Sequence, residues 1–187
     1  MPNRAKDQSR TRTGEFAVEH HQRGQLTIDS QIDADELLDQ ARYESMTSDS
    51  NERLAILAEH PDVTVRRHVA ANEYANATIC GLLAKDANQS VVVEIADRRF
   101  LVVDIQQELI QHPDPVVRAH LVFNVDTVSD IREAALSDPE PMVRLSLLMS
   151  KRVSLKEIET LARDDDIIVR TAAQSLAKRF GRVVRRS

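Results

Sequence analysis

The hydrophobic positions of this chain keep a long, fixed period. Val65, Val91, Val117, Val143 and Val169 stand 26 residues apart without a slip. Four residues after each valine come Val69, Ile95, Leu121, Leu147 and Ala173. That spacing puts both sets on one face of a helix. An earlier apolar set precedes each valine. Leu57, Leu83, Leu109 and Leu161 share one column with Ala135, and Ile79, Ile105 and Ile131 share another, in which a one-residue slip places Ile158. Each period thus predicts two helices. The first runs over about 53–59, 78–85, 104–111, 130–137 and 155–163. The second carries the valine and ends near Asn72, Arg98, Asn124 and Ser150. Ser154-x-x-Glu157 has the spacing of a capping box, and the two asparagines suit left-handed C-terminal caps.

Around the valine the polar pattern is acid-x-x-Val-Arg. It holds at Asp62/Arg66, Asp114/Arg118, Glu140/Arg144 and Asp166/Arg170, and loses both charges at Asn88/Val92. Pro61, Pro113 and Pro139, with Pro115 and Pro141 two residues on from the latter two, mark the break between the helices of a pair, where a missing N–H costs least. Self-similarity at a period of 20–50 residues is the mark of a solenoid, in which each unit buries its apolar face only against its neighbours. The expected fold is therefore all-α: a right-handed α-solenoid (superhelix) of about five 26-residue two-helix repeats over residues 52–180.

Residues 1–31 are rich in Arg, Gln, Ser, Thr and His with no apolar period, and read as a flexible segment. Residues 32–51 read as a capping helix and connector. Asp33 stands at the N-cap and Ile32 at the staple position, with the helix reaching Arg42 and a polar link over 46–51. Residues 181–187 read as a basic tail, with Gly181 ending the last helix.

Composition narrows the functions. The net charge is −5, but Lys178, Arg179, Arg182, Arg185 and Arg186 give the last ten residues +5, which leaves about −10 on the rest. Aromatics are 3% of the chain and tryptophan is absent, which removes most of the stacking groups a single-strand binder needs. Cys80 is the one cysteine, so an intrachain disulfide and an all-cysteine metal site are excluded. There is no 18-residue apolar run and no leader-like apolar segment, so a cytoplasmic protein is expected.

Two stretches resemble the bacterial leucine-rich repeat variant family: 57–72, reading LAEHPDVTVRRHVAAN, and 154–164, reading SLKEIETLARD. They are similar also to short HEAT-like repeats, whose second helix carries an Asp…Val-Arg element. The resemblance covers about residues 53–180 and implies the same all-helical right-handed superhelix, with some 3₁₀ structure in the shorter helices. One variant-repeat protein type holds an iron–sulfur cluster on N-terminal cysteines, which this chain lacks. HEAT-like DNA glycosylases use aromatic residues in a basic groove, and neither feature is found here.

Nothing in the chain matches a nucleophile motif or a phosphate loop, so a non-catalytic protein without cofactor or metal is expected. His68, Glu94 and His120 share a column. Helices pack about 8–10 Å apart, so the two histidines stand too far from each other to share a metal ion, and the column reads as a presented polar face. Arg67, His68, Glu94, Arg98, Arg99, His120 and Phe123 are the candidate partner-binding residues. Phe100, Phe123 and Tyr74 read more readily as filler between repeats. The acid–arginine pairs read as structural, within one helix and extended between neighbouring repeats. The loss at Asn88/Val92 reads as a weak point or an apolar patch, Asp164-Asp165-Asp166 as a helix N-terminus, and Cys80 as a buried small hydrophobe. The expected function is a protein-binding scaffold or adaptor for another protein or a peptide. The alternative is nucleic-acid association, with Lys178, Arg179, Arg182, Arg185 and Arg186 on phosphates.

Overall fold

In the computed structural model, residues 34–184 are described, with side chains to Phe180. The expectations for 1–31, Ile32, Asp33, Arg185 and Arg186 lie outside that range, as does the one for the Arg182 side chain. The described residues are all-α: eleven helices and no strand. The chain divides into two compact parts, 1–44 and 45–187. In the first, the described backbone is the beginning of helix α1, which runs over 34–47 and so continues past Arg42.

In the second part the helices follow as pairs. They are α2 Asn51–Ala58 with α3 Val63–Ala71, α4 Ala77–Leu83 with α5 Gln89–Ala96, α6 Val103–Leu109 with α7 Pro115–Phe123, α8 Ser129–Ala135 with α9 Pro141–Met149, and α10 Leu155–Leu161 with α11 Ile167–Val184. The second helices pack in chain order, α3 on α5, α5 on α7, α7 on α9 and α9 on α11. The valine column and the column four residues on are buried throughout, as are Leu57, Leu83, Leu109 and Leu161. Burying each such side chain is worth roughly 1.5–3 kcal/mol.

Side-chain caps fix where four of the five second helices start, and α9 starts at Pro141 without one. Asp62 accepts from the N–H groups of Thr64 and Val65, Asp114 from Val116, and Asp166 from Ile168 and Val169. Asn88 keeps this role without a charge. Pro115 and Pro141 occupy the first turns of α7 and α9. Ser154 and Glu157 form the expected capping box.

Several local expectations are corrected. Asn72 and Asn124 cap α3 and α7 in extended rather than left-handed conformation, because their amides reach back to carbonyls of preceding turns. Asn124 donates to the carbonyls of Ala96 and Arg98 at 2.9 and 2.7 Å, and Asn72 to those of Ser45 and Ser48. The last pair does not slip: α10 begins 26 residues after α8, so Glu157 takes the isoleucine column and Ile158 the column of Cys80, Gln106 and Arg132. Glu157 is tolerated there because buried Arg132 meets it with two bonds, at 2.8 and 3.1 Å. Gly181 does not end α11, which continues to Val184.

The Val-Arg arginines act between pairs. Arg66 donates to both oxygens of Asp86 at 2.6 and 3.0 Å, Arg118 to Asp138 at 2.7 and 2.8 Å, and Arg144 to Asp164 at 2.8 Å twice. Each acceptor lies 20 residues ahead, in the turn of the next pair. Of the acids four residues before the arginines, Asp62 and Asp114 cap their helices instead, while Glu140 makes no side-chain cap bond. Nη1 of each arginine binds two carbonyls of its own turn: His60 and Pro61, His112 and Pro113, or Asp138 and Pro139. Burial works to raise the Asp86 and Asp138 carboxyls, but the arginine hydrogen bonds, the N–H groups of Asn88 and Glu140, and the arginine charges hold both below the usual range. At Asp164 the Arg144 hydrogen bond is the leading effect, and that carboxyl too is lowered.

Candidate functional site

With the valine side of each second helix buried, the side chains two and three residues after the valine, buried Ala119 excepted, face outward or sit half-buried. Arg67 and His68 come from α3, Val93 and Glu94 from α5, His120 from α7, and Leu145 and Ser146 from α9. Arg67, Ser90, Val93, Glu94, Val116 and His120 line a shallow hollow of about 350 Å³ across α3, α5 and α7. A second hollow of about 700 Å³ meets it at Glu94 and is lined by Ala71, Glu73, Asp97, Arg98, Arg99 and Phe100. The fold therefore brings Arg67, Glu94, His120, Arg98 and Arg99 onto adjoining surfaces. His68 lines neither hollow, and its Nδ1 is buried with no hydrogen-bond partner among the described residues.

Two of these residues are already committed. Arg98 is half-buried, and its guanidinium donates to the carbonyls of Ala70, Asn72, Glu73 and Ala75 at 2.6–3.4 Å. It ties the end of α5 to the turn after α3, so it is a structural residue and not a free contact. His120 turns Nδ1 to within 2.9 Å of both Asp97 oxygens, which needs the proton on that nitrogen. Its other ring nitrogen is left for a partner. Arg99 stays exposed, bonded to Asp126 at 3.1 Å and lying 4.8 Å over the Phe100 ring.

The aromatic residues are not filler. Phe100 is 79% exposed, and Tyr74 and Phe123 are about half exposed. Phe100 has φ 56, the left-handed region that bulky side chains avoid, and this turns its ring out of the junction between α5 and α6. Phe123 shares its column with Met149, itself 65% exposed, and Met142 and Ile168 are exposed on the same side of α9 and α11. The outer face thus changes from charged over α3 and α5 to apolar over α7, α9 and α11. Sequence reasoning reached Phe123 but missed the methionines. Their signal was the column Ala71, Asp97, Phe123, Met149, where no core residue type recurs.

Cys80 is buried with its thiol pushed up by burial. The described residues contain no cluster of His, Cys, Asp and Glu able to hold a metal ion. No helix among them is long and apolar enough to cross a membrane. Lys178 and Arg179 are exposed on α11. The chain matches no family model, no curated protein and no solved structure in comparisons with known proteins.

Proposed function

We propose that the helix pairs form a right-handed α-solenoid of about five 26-residue repeats, and that it is a non-catalytic scaffold whose outer face binds another protein or a peptide. The likeness to leucine-rich repeat variant and short HEAT-like repeats supports the architecture. The binding role rests on one observation above all: over an unvarying buried column lies a face whose exposed side chains differ from helix to helix. Single exposed hydrophobics need no explanation, but a run of Phe123, Met142, Met149 and Ile168 beside two hollows edged by charged side chains is the composition of a contact surface. Methionine suits it because its flexible thioether adapts to a partner's shape.

The test is affinity capture from source-cell lysate with the full chain and with a Phe123→Asp, Met149→Asp variant. Both positions are exposed, so the variant keeps its helicity and melting temperature. It should lose the proteins that the parent retains. Identical sets captured by both would remove this face from consideration. A second reading, phosphate contact by exposed Lys178 and Arg179, predicts DNA or RNA binding that weakens steeply with salt and vanishes in a Lys178→Ala, Arg179→Ala variant. No nucleic-acid binding by the full chain at about 50 mM salt would dismiss it.

A further inference from the structure

We infer that Arg170 is a preformed receptor for a carboxylate, open at the end of the row of helix pairs and taking an Asp or Glu side chain of a partner protein. The inference is independent of the outer-face reading, because it comes from the arginine ladder. In Arg66, Arg118 and Arg144 the guanidinium has two working edges. Nη1 is fixed to two carbonyls of the arginine's own turn, and Nε with Nη2 grips both oxygens of an aspartate brought by the next pair. Arg170 has the first edge built in the same way. Its Nη1 donates to the carbonyls of Asp164 and Asp165. Its Nε and Nη2 have no carboxylate among the described residues.

The reason lies in the course of the chain. The other second helices turn at or before the position equivalent to 175, but α11 continues to Val184, so among the described residues no turn brings an aspartate to the fork. The nearby acids leave the fork unfilled, and Asp165, which is exposed, makes no ion pair with Arg170 among the described residues. Asp164 gives both oxygens to Arg144, and Asp166 caps α11. The end surface is also wettable. Where α3, α5, α7 and α9 bury Ala70, Ala96, Val122 and Leu148, α11 has exposed Gln174, whose amide donates to the Ala162 carbonyl at 3.1 Å. Another helix pair of the same kind would have to bury that amide. Half-buried Arg170 has exposed Ile167 one turn before it, a setting for an acidic side chain with an apolar neighbour. A second copy of this chain does not supply the acid through its first pair, because His60 stands where the later turns carry Asp86, Asp138 and Asp164. Bidentate arginine–carboxylate geometry gives such a contact direction as well as attraction.

The test uses the full chain, ¹⁵N-labelled, with the arginine Nε–H signals followed as acetate is added at constant ionic strength. Arg170 is assigned from its missing signal in Arg170→Lys. Its Nε–H should move saturably, while those of Arg66, Arg118 and Arg144, whose forks are filled, stay in place. A linear drift of Arg170 no larger than that of exposed Arg67 would overturn the proposal. Tighter binding of inorganic phosphate than of acetate would overturn the assignment to a carboxylate.

Discussion

Arg118 donates to four oxygens at once: both of Asp138 and the carbonyls of His112 and Pro113. Arginine and aspartate are each about nine-tenths buried, so the pair holds two turns of backbone together where water cannot substitute. Truncating one partner leaves the other charged in a dry place. Arg118→Ala should therefore destabilise by about 3–5 kcal/mol in urea unfolding. Arg170→Ala strands no acid and should cost clearly less. Equal losses would mean that the carboxylate bond adds little to the carbonyl bonds. The motif and a bond between neighbouring repeats were legible at this scale, but which acid each arginine takes was not. Asp62 and Arg66 have the spacing of an intrahelical pair, yet the aspartate finds the free N–H groups of its own helix start and the arginine finds Asp86.

Among the helices, the pairs are joined by a packed valine face, by Arg98 and Asn124 at the ends of α5 and α7 reaching back to preceding carbonyls, and by an arginine reaching forward. The forward device fails once. At α5 the arginine position is Val92, fully buried, and 20 residues ahead the aspartate position is His112. Both members of the rung are replaced together. His112 keeps the local task of the aspartate, since its Nδ1 accepts the Asp114 N–H at 3.1 Å, as Asp86 accepts from Asn88. Restoring the rung gives a double-mutant cycle. Val92→Arg alone buries an unpaired charge and His112→Asp alone lacks its cation. Together they should show a favourable coupling of about 0.5–3 kcal/mol. A coupling indistinguishable from zero would mean that the two positions do not face each other across this junction.

For the whole molecule, four lowered carboxyls, Asp86, Asp138, Glu157 and Asp164, tie folding to pH. Their folded values lie below the unfolded ones, so the unfolded chain takes up protons first as pH falls. The stability they contribute is complete above about pH 5 and is lost as pH drops through about 4 and below. Melting temperature should be level from pH 8 to about 5.5 and fall steeply by pH 3.5, with a shallower fall in Asp138→Asn. A melting temperature unchanged at pH 3.5 would contradict the role given to these pairs.

The sequence by itself determined where the helices lie and which columns are buried, because both follow from short-range order. A helical face repeats every three or four residues, and a cap needs only a side chain two or three positions before the N–H it accepts. Val65 to Val169, the Ser154–Glu157 box and Pro115 and Pro141 were legible on those grounds. Only the tertiary structure decided which polar groups remain available. Arg98 was placed on a binding face, but carbonyls 23–28 residues earlier claim it. Phe100 looked like packing, but its backbone turns it into solvent. Such outcomes depend on how one helix pair sits on the next, and contacts across 20–28 residues leave no local period in the chain.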